Sequence, residues 1–589
     1  MTEVLRLRPV VHAAPTADGV HVRGWTSSFT VKGGAGLWRL WEQLAAALAG
    51  GVPAPELAAP PGAPEPVARA IELIIGQLRE HDMLVAVPQG WGEPGPDLPP
   101  IAVAAWLESS AADPAAAWHR LAGTVFTVCG AGAPAAAAER ALAAAGMRYR
   151  RVPGPASTLT LEASDRLAVV AGCLGEAGYA VPPGSADTAA ALAAAVAHRL
   201  SGGSTETSAD EASADAAPRL SNGPTTEPPE VLCALVAGAA VHRLLCAAAG
   251  LPDPSREGRE TPTPHHAVLV ARLDPLRMAY HPWPEAEPPR EALSWEEAVA
   301  ALDVLADPEL GLVPAPQAQD LPQLPVNLAA CGEVVGYGTT LDAARLHAAL
   351  SAVARPSDVA VGMDHLHARG LALRLAAHRD RLESVEAVEL VEEAEWADDP
   401  AARRWWKALT LRLAVPASIE VVRLAAGVVH AQVSARGCVL GWAVEAEAGE
   451  AAAFALLAAT AREQARRAGR SIAEGPPVCG ATPAWQPSPQ PLPWGYRDHA
   501  WPSGSREGEA RFQQALAALA GEHETPGAEA PEIGATAIGA TAIGATALRP
   551  AALVADEAGA GGLWAVAGLV AVRVPPARAA RPLVLGRAR

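Results

Sequence analysis

The chain has 589 residues, half of them apolar, so it can bury several cores, and its length corresponds to roughly three or four domains. A formal charge of −18 excludes bulk affinity for nucleic acid, because neutralising phosphates needs basic patches. No apolar run approaches the roughly 20 residues that span a bilayer, and seven scattered cysteines without a Cys-x-x-Cys pair fit a reducing cytoplasm.

The amino terminus has no charged segment followed by an apolar one, so no secretory signal is expected. Leu5 to Val11, Val20 to Val22 and Ser28 to Lys32 alternate apolar and polar side chains and predict three short strands. Leu37, Trp41, Leu44 and Leu48 then repeat at helical spacing up to Gly50-Gly51. After a proline-rich connection, Pro66 to Glu80 predicts a second helix with Val67, Ile71, Ile74, Ile75 and Leu78 on one face. Asp82 to Val87 closes residues 1–90 as a strand.

This order of strands and helices is that of a small winged-helix domain of the PqqD-like type. It resembles the recognition element of ribosomal peptide biosynthesis. The resemblance implies that a precursor's leader peptide joins the sheet as an added strand along Ser28–Lys32, beneath the last helix. Candidate leader-binding residues are Phe29, Val31, Ile71 and Ile75 lining the cleft, with Arg69 and Arg79 for an acidic leader.

Residues 91–290 form a second expected domain. Thr124 to Cys129 reads as a buried strand, Gly130-Ala-Gly132 as a tight turn and Ala136 to Ala145 as a helix, the opening of a nucleotide-binding α/β unit. Strands at Leu159 to Leu161 and Leu167 to Val170, and a helix from Val231 to Leu245, follow. The succession resembles the ThiF-like relatives of ubiquitin-activating (E1) enzymes. It departs from them where Ala135 replaces the third glycine, where no acid suits a ribose, and where zinc-binding cysteine pairs are absent. Residues 201–230, rich in Ser, Thr, Pro and acids, read as a disordered loop.

In residues 291–589, Gly336-Tyr-Gly338-Thr339 followed by a helix to Arg355 resembles the first block of the YcaO cyclodehydratases, and Gly441 to Gln464 resembles a second. The carboxy-terminal stretch around Ala565 to Pro576 resembles the usual YcaO finish, with Pro576 where a glycine is usual. YcaO enzymes use ATP to form azolines and hold magnesium with carboxylates. The resemblance puts glutamates at Ser351, Ala354 and Ala461, which cannot supply hard charged ligands. Glu445, Glu447, Glu450 and Glu463 nearby read as surface acids on a solvated helix. Three copies of Ile-Gly-Ala-Thr-Ala from Ile533 to Ala547 mark residues 523–550 as a low-complexity insertion.

Other patterns carry less. Asp364-His365-Leu-His367 would set two imidazoles on one side of a strand, and His265-His266 would begin another. Glu522-His523-Glu524 lacks a second histidine and is followed by proline, so it is no zincin motif. Trp405-Trp406 beside Arg403, Arg404 and Lys407 could serve as an anion or peptide contact or simply as half-buried packing.

The fold class expected is therefore α+β and multidomain: winged helix, ThiF/E1-like α/β domain, degenerate YcaO-like α+β domain. The implied function is a non-catalytic, cytoplasmic partner that binds a precursor leader and delivers it to a separate YcaO cyclodehydratase. It would have no catalytic, metal or cofactor-binding residues of its own, ATP and Mg²⁺ belonging to the enzyme. Self-association is also expected, since such folds form symmetric oligomers. A fused active cyclodehydratase and an E1-like adenylating enzyme remain as alternatives.

Overall fold

The computed structural model describes residues 3–34, 36–57, 64–95, 97–156, 158–164, 166–201, 229–256, 267–283, 295–354, 359–383, 389–472, 475, 477–482, 506–520, 563–566 and 569–573. The loop at 202–228, His265-His266, Arg355, Glu522 to Glu524 and the insertion at 523–550 lie outside them. The chain is mixed α+β and forms two compact units that divide at Tyr280/His281.

In the first unit, His12–Thr16, Gly19–Arg23 and Ser28–Lys32 make an antiparallel three-stranded sheet in that order. Val20, Val22, Phe29 and Val31 face one core with Leu37, Trp41 and Leu48 of the helix Gly36–Gly50. The helix Glu65–Glu80 adds Ile71, Ile74, Ile75 and Leu78, spaced three and four apart so that they fall on one face. The first strand behaves differently from the simple three-strand expectation. Glu3–Leu7 pairs with Leu84–Pro88, while His12–Thr16 completes the sheet. The segment His12–Thr16 carries only small and polar residues around Pro15, so its sequence gives little strand signal.

That second strand pair ties the small core to a large one. Val4, Val85 and Val87 pack into a cluster with Leu107, Phe126, Leu142, Leu161 and Leu244. Arg8 fastens the junction. Its guanidinium is buried and donates to the carbonyls of Asp82 (2.8 Å), Glu108 (2.6 Å) and Ala111 (2.9 Å), and to the Asp82 carboxylate. Arg6 adds an ion pair to Glu108 at 2.8 Å.

The large core lies on a seven-stranded sheet ordered Leu276–Pro282, Ala267–Leu273, Ala177–Ala180, Leu167–Leu174, Thr158–Ser164, Val125–Cys129, Arg148–Val152. Only the last pair is parallel, joined by the helix Gly132–Ala144. Against the sheet lies Glu230–Ala249, long and apolar enough to cross a membrane, contrary to the sequence expectation that no such run exists. Leu232, Val236, Ala240 and Leu244 are buried in the core, and Arg243 within it is bonded to Asp253 at 2.9 Å, as befits an interior helix.

In the second unit the hairpin Asn327–Cys331/Val334–Gly338 carries the helix Leu341–Val353. Gly336 and Gly338 permit the approach, because a Cβ at either would collide with the Ala343–Ala348 backbone. Glu389–Leu390, Ala417–Ala425, Val428–Ala435 and Cys438–Glu445 form an antiparallel sheet. The helix Ala448–Arg467 lies against that sheet, so close at Gly441 that no side chain fits there. The helix His365–Glu383 follows Val359–Gly362, which pairs with Leu569–Arg573.

Replacing Arg8 by methionine orphans buried carbonyls at Glu108 and Ala111 at about 1–3 kcal/mol each. The first urea unfolding transition of the full chain should move down by a matching amount, whereas Arg69→Met, at an exposed ion pair, should leave it within about 0.5 kcal/mol.

Candidate functional site

The strand Ser28–Lys32 is an edge. Among the described residues no strand lies on its outer side. Gly33 donates to Asp18 and Gly24 to Ser27, so positions 27, 29, 31 and 33 turn their backbone groups toward Gly19–Arg23. Alternation then directs the N–H and C=O of Ser28, Thr30 and Lys32 outward. Phe29 and Val31 are buried, and Ile71 and Ile75 on the helix Glu65–Glu80 lie in the same core, so these four are brought together. Phe29 also stacks on His81 with ring centres 5.2 Å apart. Arg69 and Arg79 are exposed. At about 100° per residue, Arg79 flanks the buried stripe, while Arg69 stands on the opposite side of the helix from Ile71. There Arg69 pairs with Glu65 at 2.7 Å.

The glycine turn of the large sheet has the expected strand, turn and helix, with positive φ at Gly130 and Gly132. Two of its amides, however, are spent on the chain itself. Gly130 N donates to Val152 O at 3.3 Å and Ala131 N to Pro155 O at 3.1 Å, Pro134 has no N–H, and Arg151 bonds the Gly130 carbonyl. A phosphate would have to displace these bonds to use those donors.

In the second unit Ser351 and Ala354 line a cavity with His347, His367, Val478 and Thr482, and no carboxylate among the described residues lines it. Ala461 is fully buried. Gln464 is buried and saturated by backbone, donating to Pro322 O and Val326 O (both 2.7 Å) and accepting from Val326 N (3.1 Å).

The nearby acids are not the solvated row that the sequence suggests. Alanine on every side lets Ala448–Arg467 sink into the core, and it takes Glu463 with it. Bonding to Arg466, then Arg467, holds the Glu463 carboxyl down at about 2. Glu447 is exposed, but Glu450 is half-buried, and burial with Glu445, Glu447 and Asp399 nearby pushes it up to about 8. Glu450 thus keeps a proton at neutral pH.

Glu445 is fully buried, as is Glu509 on the helix Arg506–Ala520. Between them lies Arg374, 1% exposed, bonded to Glu445 (2.8 and 3.1 Å) and Glu509 (2.7 and 2.9 Å). Against the burial that opposes its charge, these carboxylates hold the guanidinium well above its ordinary value. Gly480 N donates to Glu445 at 2.9 Å, and Gln513 to Glu509 at 2.8 Å. Sequence reading missed this cluster. The available signal was Arg374 itself, a cation amid Leu371, Leu373, Leu375 and Ala376 with no polar face to occupy.

The histidine expectations also change. Asp364 ends the strand instead of extending it, and its carboxylate accepts from His367 N at 2.8 Å to start the helix His365–Glu383. His365 is exposed and His367 buried, so the pair does not converge. His367 Nδ1 accepts from Met363 N at 3.1 Å, and burial lowers it to about 4. His378 and His430, 2.9 Å apart, are lowered by burial to about 4 and about 3. Trp405 is a fully buried core residue with Arg404 over its ring at 4.7 Å, and Trp406 packs beside Trp396. Among the described residues no three His, Cys, Asp or Glu are grouped to hold a metal ion.

No family model and no curated protein matches this chain. Among solved structures it is similar to a heterocyclase in complex with substrate and cofactor, at 12% identity over 98% of this chain and 94% of that one, TM-score 0.47. It is similar to the heterocyclase TruD at 13% over 77% and 82%, TM-score 0.40. MccB of E. coli matches at 10% over 47% and 94%, TM-score 0.29. Likenesses this distant carry no conclusion about activity.

Removing the guanidinium leaves two buried carboxylates facing each other, so Arg374→Met should destabilise the full chain by about 3–5 kcal/mol in denaturant. Adding Glu445→Gln and Glu509→Gln should recover part of that loss. Because His367, His378 and His430 all titrate below the ordinary 6.5 when folded, the stability they confer is complete above pH 6.5. As pH falls from 6.5 toward about 4 it should be lost at about 1.4 kcal/mol per unit for each. Melting curves across that range should be steep for the parent and flatter for His430→Gln.

Proposed function

We propose that this chain captures the leader of a ribosomally made precursor peptide along Ser28–Lys32 and presents it to a separate ATP-using YcaO cyclodehydratase. In this reading residues 1–90 are a winged-helix recognition element, 91–290 a ThiF-like domain and 291–589 a degenerate YcaO-like domain. The observation that carries it is the open edge, where Ser28, Thr30 and Lys32 offer backbone donors and acceptors outward beside an apolar helix stripe. An extended peptide gains main-chain bonds there, and alternate side chains set its register. Capture raises the peptide's effective concentration at the enzyme without any chemistry here.

The absence of catalysis is supported by what occupies the relevant places. The turn amides of Gly130 and Ala131 are already bonded to Val152 and Pro155. Serine and alanine at 351, 354 and 461 give magnesium no carboxylate, and the buried carboxylates Glu445 and Glu509 are already bonded to Arg374. The residues therefore do not fit a resident Mg²⁺–ATP, and ATP and Mg²⁺ are assigned to the partner. The degenerate domain serves as its docking body or pairs with a second copy of itself.

Proline is tolerated on an edge strand where the N–H points to solvent, so Thr30→Pro should keep the fold yet weaken binding of a fluorescently labelled leader about tenfold or more. Thr30→Val should not. Arg79→Glu should weaken binding of an acidic leader more than Arg69→Glu, since only Arg79 flanks the buried stripe. Turnover of ATP by the purified chain with its peptide, or pyrophosphate exchange, would defeat the reading.

A further inference from the structure

Among the described residues the seven-stranded sheet ends on a second open edge, Arg148–Val152, with sequence Arg-Tyr-Arg-Arg-Val and all five residues exposed. Val152 O accepts from Gly130 N on the inner side, so positions 148, 150 and 152 bond inward and Tyr149 and Arg151 direct N–H and C=O outward. Register places Arg148, Arg150 and Val152 on one face with Val125 and Thr127. Val125 is 49% exposed and Tyr149 39%, and Pro100, packed on Gly146, brings Ile101 to the same end at 77%.

The side chains are held but not used up. Arg148 reaches Ala122 O at 2.6 Å, and Arg150 uses its Nε on Thr127 at 3.1 Å. Arg151 pairs with Glu139 at 2.7 Å. In a chain of net charge −18, a strand with three arginines and no acid is a local reversal of sign. The same arginines bar the simplest alternative occupant. Antiparallel pairing with a second copy about the strand centre would set Arg150 against Arg150 and Tyr149 against Arg151, a like-charge contact in the middle of the ladder.

We infer that Arg148–Val152 is a docking edge for an extended acidic segment of a partner polypeptide, which adds as a strand outside Tyr149 and Arg151 while its carboxylates meet Arg148 and Arg150. Backbone donors and acceptors on offer, together with flanking apolar side chains, favour a peptide over a nucleic acid, which would use the arginines alone. The inference is independent of leader capture, since it concerns a different sheet of the first unit.

The test uses the full chain carrying Thr30→Pro, which removes the edge at Ser28–Lys32 from consideration. The probe is a fluorescein-labelled decapeptide of alternating glutamate and valine, with glutamine–valine and lysine–valine controls, read by anisotropy. Binding of the glutamate peptide alone is expected, weakening as salt rises from about 50 to about 300 mM. Arg148→Glu with Arg150→Glu should lower affinity about tenfold or more. Tyr149→Pro, which removes an outward N–H, should do the same, and Arg150→Lys should retain binding. Circular dichroism checks that each variant is folded. Equal binding of the glutamine peptide, no loss in either variant, or preference for a labelled oligothymidylate would overturn the proposal. So would a concentration-dependent dimer that Arg150→Glu abolishes.

Discussion

Two carboxylates cannot share a water-free interior unless something positive lies between them, and the second unit is arranged around that requirement. Glu445 ends a strand of the four-stranded sheet, Glu509 sits on the helix Arg506–Ala520, and Arg374 comes from the helix His365–Glu383. Three elements distant in sequence are thereby fixed to one point, and Gly480 joins them through its amide. A buried ion pair of this kind costs desolvation, and its net contribution to stability is small compared with the penalty for breaking it. Its value lies in position. A divalent cation brought to the same place would meet a guanidinium first.

Much of the first unit was legible because its signals are local. The stripe at Ile71, Ile74, Ile75 and Leu78 and the alternation of Ser28–Lys32 are periodic patterns that survive an alanine-rich composition. The turn at Gly130 was equally plain, but its chemistry was not, because whether an amide is free depends on Val152 and Pro155, more than 20 residues away. His12–Thr16 escaped notice since small residues around a proline carry no strand pattern.

In the second unit the helix acids and Asp364 were misread for different reasons. Glu450 and Glu463 looked like solvated acids, because charge next to alanine normally marks a surface. Alanine instead thins the helix Ala448–Arg467 until 15 of its 20 residues are buried, leaving no polar face from which a period could be read. Asp364 misled in the opposite direction. It looked like part of a ligand-bearing strand, yet a short acid before an apolar run is also a helix start, and His367 donates to it.

The strand pair Glu3–Leu7/Leu84–Pro88 gives the first unit a mechanical character of its own. Val4, Val85 and Val87 sit in the large core and Arg8 is clamped by five oxygens, so the small sheet is welded to the seven-stranded one instead of hanging on a tether. Anything seated on the small sheet would start from a fixed origin. How far along a captured chain a second molecule could act would then be set by the captured chain's own contour, at about 3.3 Å per extended residue, and not by the swing of a linker.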